Sequence, residues 1–289
     1  MVTLDQAMQE IDPKWEAKFR KDSISTGLTI FNRLVNRLHS ENKLELRINW
    51  PKFSTKFGGF RGQELTTLTG DTGMGKTTWA TNIAYMMSEI GARPLIFSLE
   101  MGPESVQKKF FRMHCGMRPS KENVVEHHEK FTTWLIDNKA LFYDGQDYLP
   151  FHHFKLVTAW GALKQQSKFI LLDHLEMVLK PGMDADGISR TVASIRALAY
   201  KLNIHILVVV QPAKLKGDSK ERMVEMDDMK GSSGIKQFSD NVFSIYFDKK
   251  EKTTTMKLHK MREDDYGKYQ GDTIGYKLGD MSLTYWEEE

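Results

Sequence analysis

Eight consecutive residues, Gly70-Asp71-Thr72-Gly73-Met74-Gly75-Lys76-Thr77, fit the pattern G-x-x-x-x-G-K-T. A loop of this kind turns backbone N–H groups toward a phosphate, and a helix opening directly after it adds a favourable dipole. Lys76 is spaced to reach the β- and γ-phosphates, and the Thr77 hydroxyl is spaced to ligate Mg²⁺. An apolar run, Leu65 to Thr69, precedes the loop. A helical run, Thr78 to Ile90, follows it and is closed by Gly91. That context separates a phosphate loop from a bare glycine-rich turn. It implies a bound nucleoside triphosphate with Mg²⁺. The expected nucleotide contacts are Gly70, Thr72, Gly73, Gly75, Lys76, Thr77 and Thr78, with Thr77 also on the metal.

Three polar residues end apolar, strand-like runs. Glu100 follows Pro94 to Leu99, Asp173 ends Lys168 to Leu172, and Gln211 follows Ile204 to Val210. Ligands of open parallel sheets bind outside the carboxyl ends of the strands, so all three belong at the edge that carries the phosphate loop. Asp173 is expected to support Mg²⁺. Glu100 can polarise an attacking water as general base. Gln211 places an amide where the γ-phosphate would lie. Each alone is equally well a solvated polar group at a strand end; with a sound phosphate loop they point the same way. Lys260 and Arg262 lie two apart on a strand pattern, hence on one face. They suit an arginine-finger role on a neighbouring subunit's γ-phosphate. On chemistry alone, an edge strand guarded by charges accounts for them as well.

The elements that must hold these residues are legible in outline. From Gln63 the chain alternates strand and helix. Helices are expected from Pro103 to about His114 and from Ser189 to Lys201, and a short strand at Ala140 to Tyr143. The continuous apolar runs suit parallel strands covered on both faces. Four further strands are expected after residue 240: Val242 to Phe247, Thr253 to His259, Thr273 to Leu278 and Ser282 to Trp286. Their short polar connections suggest antiparallel pairing. The fold class is therefore α/β, a P-loop NTPase core with a mainly parallel sheet flanked by helices and extended by antiparallel C-terminal strands. Residues 1–60 show short amphipathic patterns, such as Leu28, Phe31, Leu34, Val35 and Leu38, without β-α alternation. They are expected to form a helical linker or docking segment, and residues 61–289 the ATPase domain.

Bulk properties fit a globular protein: 289 residues, 40% hydrophobic and 27% charged. The net charge of +3 neither demands nor excludes nucleic acid, so any basic surface must be local. A lone cysteine, Cys115, allows no internal disulfide and suits a reducing compartment. No apolar run reaches membrane-spanning length, and the N-terminus lacks a signal-peptide pattern. A soluble, cytoplasmic protein with no membrane partner is expected.

In order along the chain, these motifs resemble the RecA-like core of the DnaB-type, superfamily 4, hexameric replicative helicases, with a pattern like that of phage T7-type and Twinkle helicase domains. Phe97-Ser98-Leu99-Glu100-Met101 is similar to the second motif of that family, whose glutamate is the base. Leu171-Leu172-Asp173-His174-Leu175 resembles its Walker B strand, and Val208-Val209-Val210-Gln211 its third motif with a phosphate-sensing glutamine. The segment from Lys230 to Asp240 resembles the channel-lining fourth motif, and Lys260-Met261-Arg262 the K-x-R that reaches the adjacent subunit's nucleotide. Gly59 to Leu65 resembles the segment before the phosphate loop. The likeness covers roughly residues 58–278.

The resemblance implies an ATP-hydrolysing DNA helicase that forms a ring, expected to be a hexamer, and moves on single-stranded DNA during replication. It would partner a primase or polymerase of a replisome in a bacterial cell or phage-infected host. The implied DNA contacts are Lys230, Gly231, Ser232, Ser233 and Lys236. Lys230 stands where many relatives have arginine, and Ser233-Gly234 replaces the usual Gly-Ala. Between Lys214 and Lys236 the basic residues nearly balance the acidic ones, so a mixed-charge loop describes the segment equally well. Three alternatives remain: a RecA-type recombinase, a KaiC-like regulatory ATPase, and an accessory ATPase acting on a separate helicase.

Overall fold

The computed structural model describes residues 45–145, 147–212, 222–229, 232–262 and 267–288. In chain order the elements begin with β1 (Glu45–Leu46), α1 (Pro51–Phe57), β2 (Phe60–Arg61) and β3 (Leu65–Thr69). Next come α2 (Lys76–Glu89), β4 (Leu95–Ser98), α3 (Pro103–Cys115), α4 (Lys121–Glu126) and α5 (His128–Asn138). β5 (Leu141–Phe142), α6 (Phe151–Leu163), β6 (Phe169–Asp173), α7 (Ala185–Leu202) and β7 (His205–Val209) follow. The chain closes with α8 (Ser232–Phe238), β8 (Asn241–Asp248), β9 (Thr253–Met261), β10 (Thr273–Leu278) and β11 (Tyr285–Glu287).

Among the described residues the main sheet has nine strands, in the order β11-β10-β9-β8-β3-β7-β6-β4-β5. From β8 through β5 every pairing is parallel. From β8 out to β11 every pairing is antiparallel. The expected parallel core with an antiparallel extension is the architecture found.

Alternation along each strand feeds two cores. Leu171, Leu207, Val209 and Phe243 face one side, against Trp79, Ile83 and Met87 of α2. Ile170, Leu172, Ile206 and Val208 face the other, against Ile188, Val192, Ile195 and Leu198 of α7. Because both faces are covered, the central strands read as unbroken apolar runs rather than alternating ones.

Residues 45–60, within the expected linker segment, pack against the main sheet. Phe53, Phe57 and Phe60 are all 0% exposed. Phe57 packs edge-on against Phe243 of β8, with ring centroids 4.9 Å apart, and the Trp50 indole donates to the Tyr285 carbonyl at 3.2 Å. Burying each such ring is worth roughly 2 kcal/mol. Residues 45–60 thus share the core of the main sheet. The amphipathic pattern from Leu28 to Leu38 lies outside the described residues.

Candidate active site

Sheet order converts sequence order into a row. The adjacent strands β3, β7, β6 and β4 end side by side, carrying in turn the phosphate loop, Gln211, Asp173 and Glu100. Inter-strand spacing makes that row about 14 Å long. A cavity of about 330 Å³ runs along it. Its walls include Thr72, Gly73, Gly75, Lys76, Thr77 and Thr78 from the loop and α2, and Glu100, Asp173, His174 and Gln211 from the strand ends. Gly70 lies behind this wall. A Cβ there would stand 2.7 Å from the Ile245 carbonyl oxygen of β8, so only glycine lets the chain turn off β3 at that point.

Lys76 opens α2 and folds back over the loop. Its Nζ donates to the carbonyls of Gly70 at 2.7 Å and Asp71 at 2.9 Å. Burial lowers its pKa, opposed by the carboxylates of Asp173, Asp71, Glu176 and Glu100. Asp173, at the end of β6, is 4% exposed. Burial raises its pKa above the ordinary carboxylate value, against a hydrogen bond donated by the Thr77 hydroxyl and the nearby His174 and Lys109. A carboxylate and a hydroxyl already in contact are the hard oxygen donors that Mg²⁺ takes. The Glu100 side chain is 57% exposed, reaching into the cavity from beyond β4.

His174, which the sequence placed only within a motif, occupies the middle of the row. Its Nε2 lies 3.2 Å from Glu100 Oε2 and 3.1 Å from Gln211 Nε2. Its Nδ1 lies 2.9 Å from Glu176 Oε2. The other oxygen of Glu176 accepts from the Gln211 backbone N–H at 3.2 Å. Burial works against a charge on the imidazole, but the Glu176 hydrogen bond and the carboxylates of Glu176, Asp173 and Glu100 outweigh it and raise its pKa. The spacing Asp173-His174-x-Glu176 was the available signal; it has no meaning until the following turn folds Glu176 back under β7.

Lys260 and Arg262 are not in this cavity. β9 runs antiparallel to β8, which pairs Lys260 with Val242 and sets Asn241 beside Thr66, at the start of β3. The phosphate loop leaves the opposite end of β3, on the order of 10 Å away along the strand. Lys260 Nζ donates to the carbonyls of Ser239, at 2.7 Å, and Lys236. Arg262 donates to the Gln237 carbonyl at 2.9 Å and pairs with Asp240. Within one chain neither side chain reaches the nucleotide cavity.

Of the expected DNA contacts, Lys230 and Gly231 lie outside the described residues. Ser232 opens α8, Ser233 is exposed, and Lys236 pairs with Asp227. Gly234, where the motif departs from its usual order, packs on α7: a Cβ would meet Ser189 at 2.4–2.7 Å.

The sequence family described as DnaB-like helicase C terminal domain matches residues 46–272. The DNA helicase/primase of Enterobacteria phage T3 is 21% identical over 252 residues, covering 81% of this chain and 44% of that protein. The replicative DNA helicase DnaB of Rickettsia bellii is 21% identical over 247 residues, covering 77% and 48% respectively. The chain spans about half the length of these relatives. Two solved structures share the fold with a TM-score of 0.74 at 14% identity. One is a DnaB-like replicative helicase studied for its interactions with primase, over 99% of this chain and 74% of that one. The other is an ATPase domain, over 92% of this chain and all of that one.

Proposed function

This chain belongs to the DnaB-like helicase C-terminal domain family, and from that premise we propose that it is an ATP-hydrolysing DNA helicase that assembles as a ring, of six subunits, and moves along single-stranded DNA during replication. The observation that carries the reading is the division of the proposed machinery between the two ends of β3. One end carries the phosphate loop and the three strand-end residues; the other carries Lys260 and Arg262. A nucleotide site completed by a neighbour accounts for both.

In this reading Lys76 and the loop amides, with Thr72, Gly73, Gly75 and Thr78 around them, bind the triphosphate of ATP. Thr77 and Asp173 would hold Mg²⁺, which would neutralise phosphate charge. Glu100 takes a proton from the attacking water. Gln211 faces the γ-phosphate, and the chain leads from it directly into the segment before α8. Lys230, Gly231, Ser232, Ser233 and Lys236 contact DNA phosphates, which positions the strand without reading bases. Lys260 and Arg262 stabilise charge on the neighbour's γ-phosphoryl group. The solved relative's interactions with primase support a primase as partner. No helix among the described residues is long and apolar enough to cross a membrane. That is consistent with the proposed site of action in the cytoplasm of a bacterium or phage-infected cell.

The test is ATP hydrolysis with and without single-stranded DNA, run beside unwinding of a forked duplex. DNA-stimulated hydrolysis with unwinding is expected. Hydrolysis indifferent to DNA overturns the helicase reading in favour of a regulatory ATPase. Stimulation without unwinding favours a recombinase or a motor that needs a separate partner.

A further inference from the structure

We propose that His174 is a positioning residue that ties Glu100 to Gln211, with Glu176 as its buttress; this deepens the ATPase reading above and rests on it. The geometry follows from the sheet. β6 lies between β4 and β7, and His174 is the first residue beyond β6. Its ring therefore stands between the residues that follow the two flanking strands. Nε2 meets Glu100 on one side at 3.2 Å and the Gln211 amide on the other at 3.1 Å.

Each partner needs such a hold. Glu100 is a long, solvated side chain, and an unrestrained glutamate spends rotamer entropy to reach one pose. The imidazole is the stiffer group, and its side chain is only 9% exposed. Glu176 fixes that ring through Nδ1 at 2.9 Å. The same carboxylate holds the backbone N–H of Gln211 at 3.2 Å. One carboxylate thus sets both the ring and the start of the segment that leads toward the proposed DNA contacts.

The arrangement also links the two partners. A single Nε2–H serves either the Glu100 carboxylate or, with the amide turned so that Oε1 faces the ring, Gln211, so the two share one site on Nε2. When Gln211 turns to a γ-phosphate, Nε2 is left to Glu100. The carboxylate is then drawn to its working position when a triphosphate is present. Because the ring touches neither phosphate nor water in this scheme, it acts through Glu100 and not on the substrate.

The experiment is steady-state ATP turnover by the full chain and five variants, one of them Glu176→Ala alone. His174→Ala is expected to lower kcat about 10–100-fold, the scale of a misplaced catalytic group, with KM for ATP changed less than about threefold. His174→Gln is expected to restore most of kcat, because its amide reaches the Nε2 position and offers both a donor and an acceptor. His174→Asn reaches only the Nδ1 position and is expected to restore little. His174→Ala combined with Glu176→Ala is expected to fall by less than the product of the two single losses, though below His174→Ala alone because Glu176 also holds the Gln211 N–H. Wild-type turnover with His174→Ala within twofold of it overturns the role of His174 alone. So does equal rescue by Asn and Gln, or full additivity with Glu176→Ala; either marks a merely structural histidine. A wild-type chain without ATP turnover overturns the ATPase reading and this role with it.

Discussion

Arg262 and Asp240 form an ion pair, Nη1 to Oδ1, at 3.1 Å beside the start of β3. Asp240 is 3% exposed and has two other holds. It pairs with Arg196 at 3.0 Å and accepts the Leu65 backbone N–H at 3.0 Å. Arg262 is thus the replaceable member of the cluster. Its removal leaves the buried carboxylate with Arg196 and the Leu65 N–H, and the Arg262 side chain is itself 41% exposed, so the loss is expected to cost about 1 kcal/mol.

Arg262→Ala is therefore expected to fold normally and to bind nucleotide within about threefold of the parent. Its ATP turnover is expected to fall about 10³-fold, as for loss of an arginine finger. Mixing it with Lys76→Ala chains supplies the decisive readout. A Lys76→Ala subunit brings an intact Arg262 to its neighbour's intact loop, so mixed rings regain hydrolysis that neither variant has alone. Mixtures as inactive as their components would remove the in-trans assignment.

Asp173 makes a prediction about stability as well as turnover. Its folded pKa is raised, chiefly by burial. The charged form is the one the fold tolerates poorly. Stability linked to this group is present at low pH and lost as pH rises through the raised pKa. Asp173→Asn is expected to melt higher than the parent at pH 7 without nucleotide or metal. A gain of about 1 kcal/mol corresponds to roughly 2–4 °C for a domain of this size. The gain is expected to shrink as pH falls toward the ordinary carboxylate range. The same variant is expected to lose Mg²⁺-dependent ATP turnover. Melting scans across pH on both proteins check the first expectation; a gain independent of pH contradicts it.

These two residues illustrate what the sequence could and could not convey. Asp173 was legible because a carboxylate closing an apolar run is a local pattern, and the strands that carry the site are local patterns too. β3 and β10 have the expected bounds, and α2, α3, β4, β6 and β7 differ by a few residues at most. Arg262 was legible only as a residue type. Its distance from the loop depends on the β8–β9 register, which no local pattern fixes. α1, α4 and α5 were missed because the signal that stabilises them is tertiary. α1 is seven residues long and held by Phe53 and Phe57 in the core. Trp134 of α5 stacks on Tyr85 of α2, with ring centroids 4.9 Å apart. Short helices of this kind have little stability of their own. His174 was missed because two of its partners, Glu100 and Gln211, follow strands that are distant from it in sequence.

His205 is expected to control acid sensitivity. It is 0% exposed, enclosed by the rings of Phe60 and Phe169. Its Nδ1–H donates to the Arg61 carbonyl at 2.7 Å, and its Nε2 has no hydrogen-bond partner among the described residues. Burial pushes its pKa down to about 3. Between that value and the ordinary histidine value, the unfolded chain binds a proton that the folded chain refuses. Stability therefore falls as pH drops from about 6.5 toward 3, by about 2 kcal/mol at pH 5. His205→Phe is expected to flatten that slope whatever its effect at neutral pH. Urea unfolding at pH 5 and pH 7 gives the answer: equal slopes in parent and variant would rule out His205 as the source.

Lys260 is expected to behave differently from Arg262 two residues on. Its Nζ donates to the carbonyl of Ser239, a residue that is 0% exposed, at 2.7 Å and to that of Lys236, at the C-terminal end of α8. A cation there satisfies carbonyls that end a helix and faces the negative end of its dipole. Burial lowers the Lys260 pKa, helped by Arg262 and opposed by Asp240. Lys260→Met keeps the stem and removes the donor, leaving a buried carbonyl without it. A loss of about 1–3 kcal/mol in urea unfolding is expected, where Arg262→Ala loses about 1 kcal/mol. Because α8 begins at Ser232, beside the proposed DNA contacts, Lys260→Met is also expected to weaken binding of labelled single-stranded DNA without nucleotide present. Anisotropy titrations of both variants separate the two residues. Equal losses of stability and of DNA affinity in Lys260→Met and Arg262→Ala would mean that the pair acts as one undivided charge, not as an anchor and a finger.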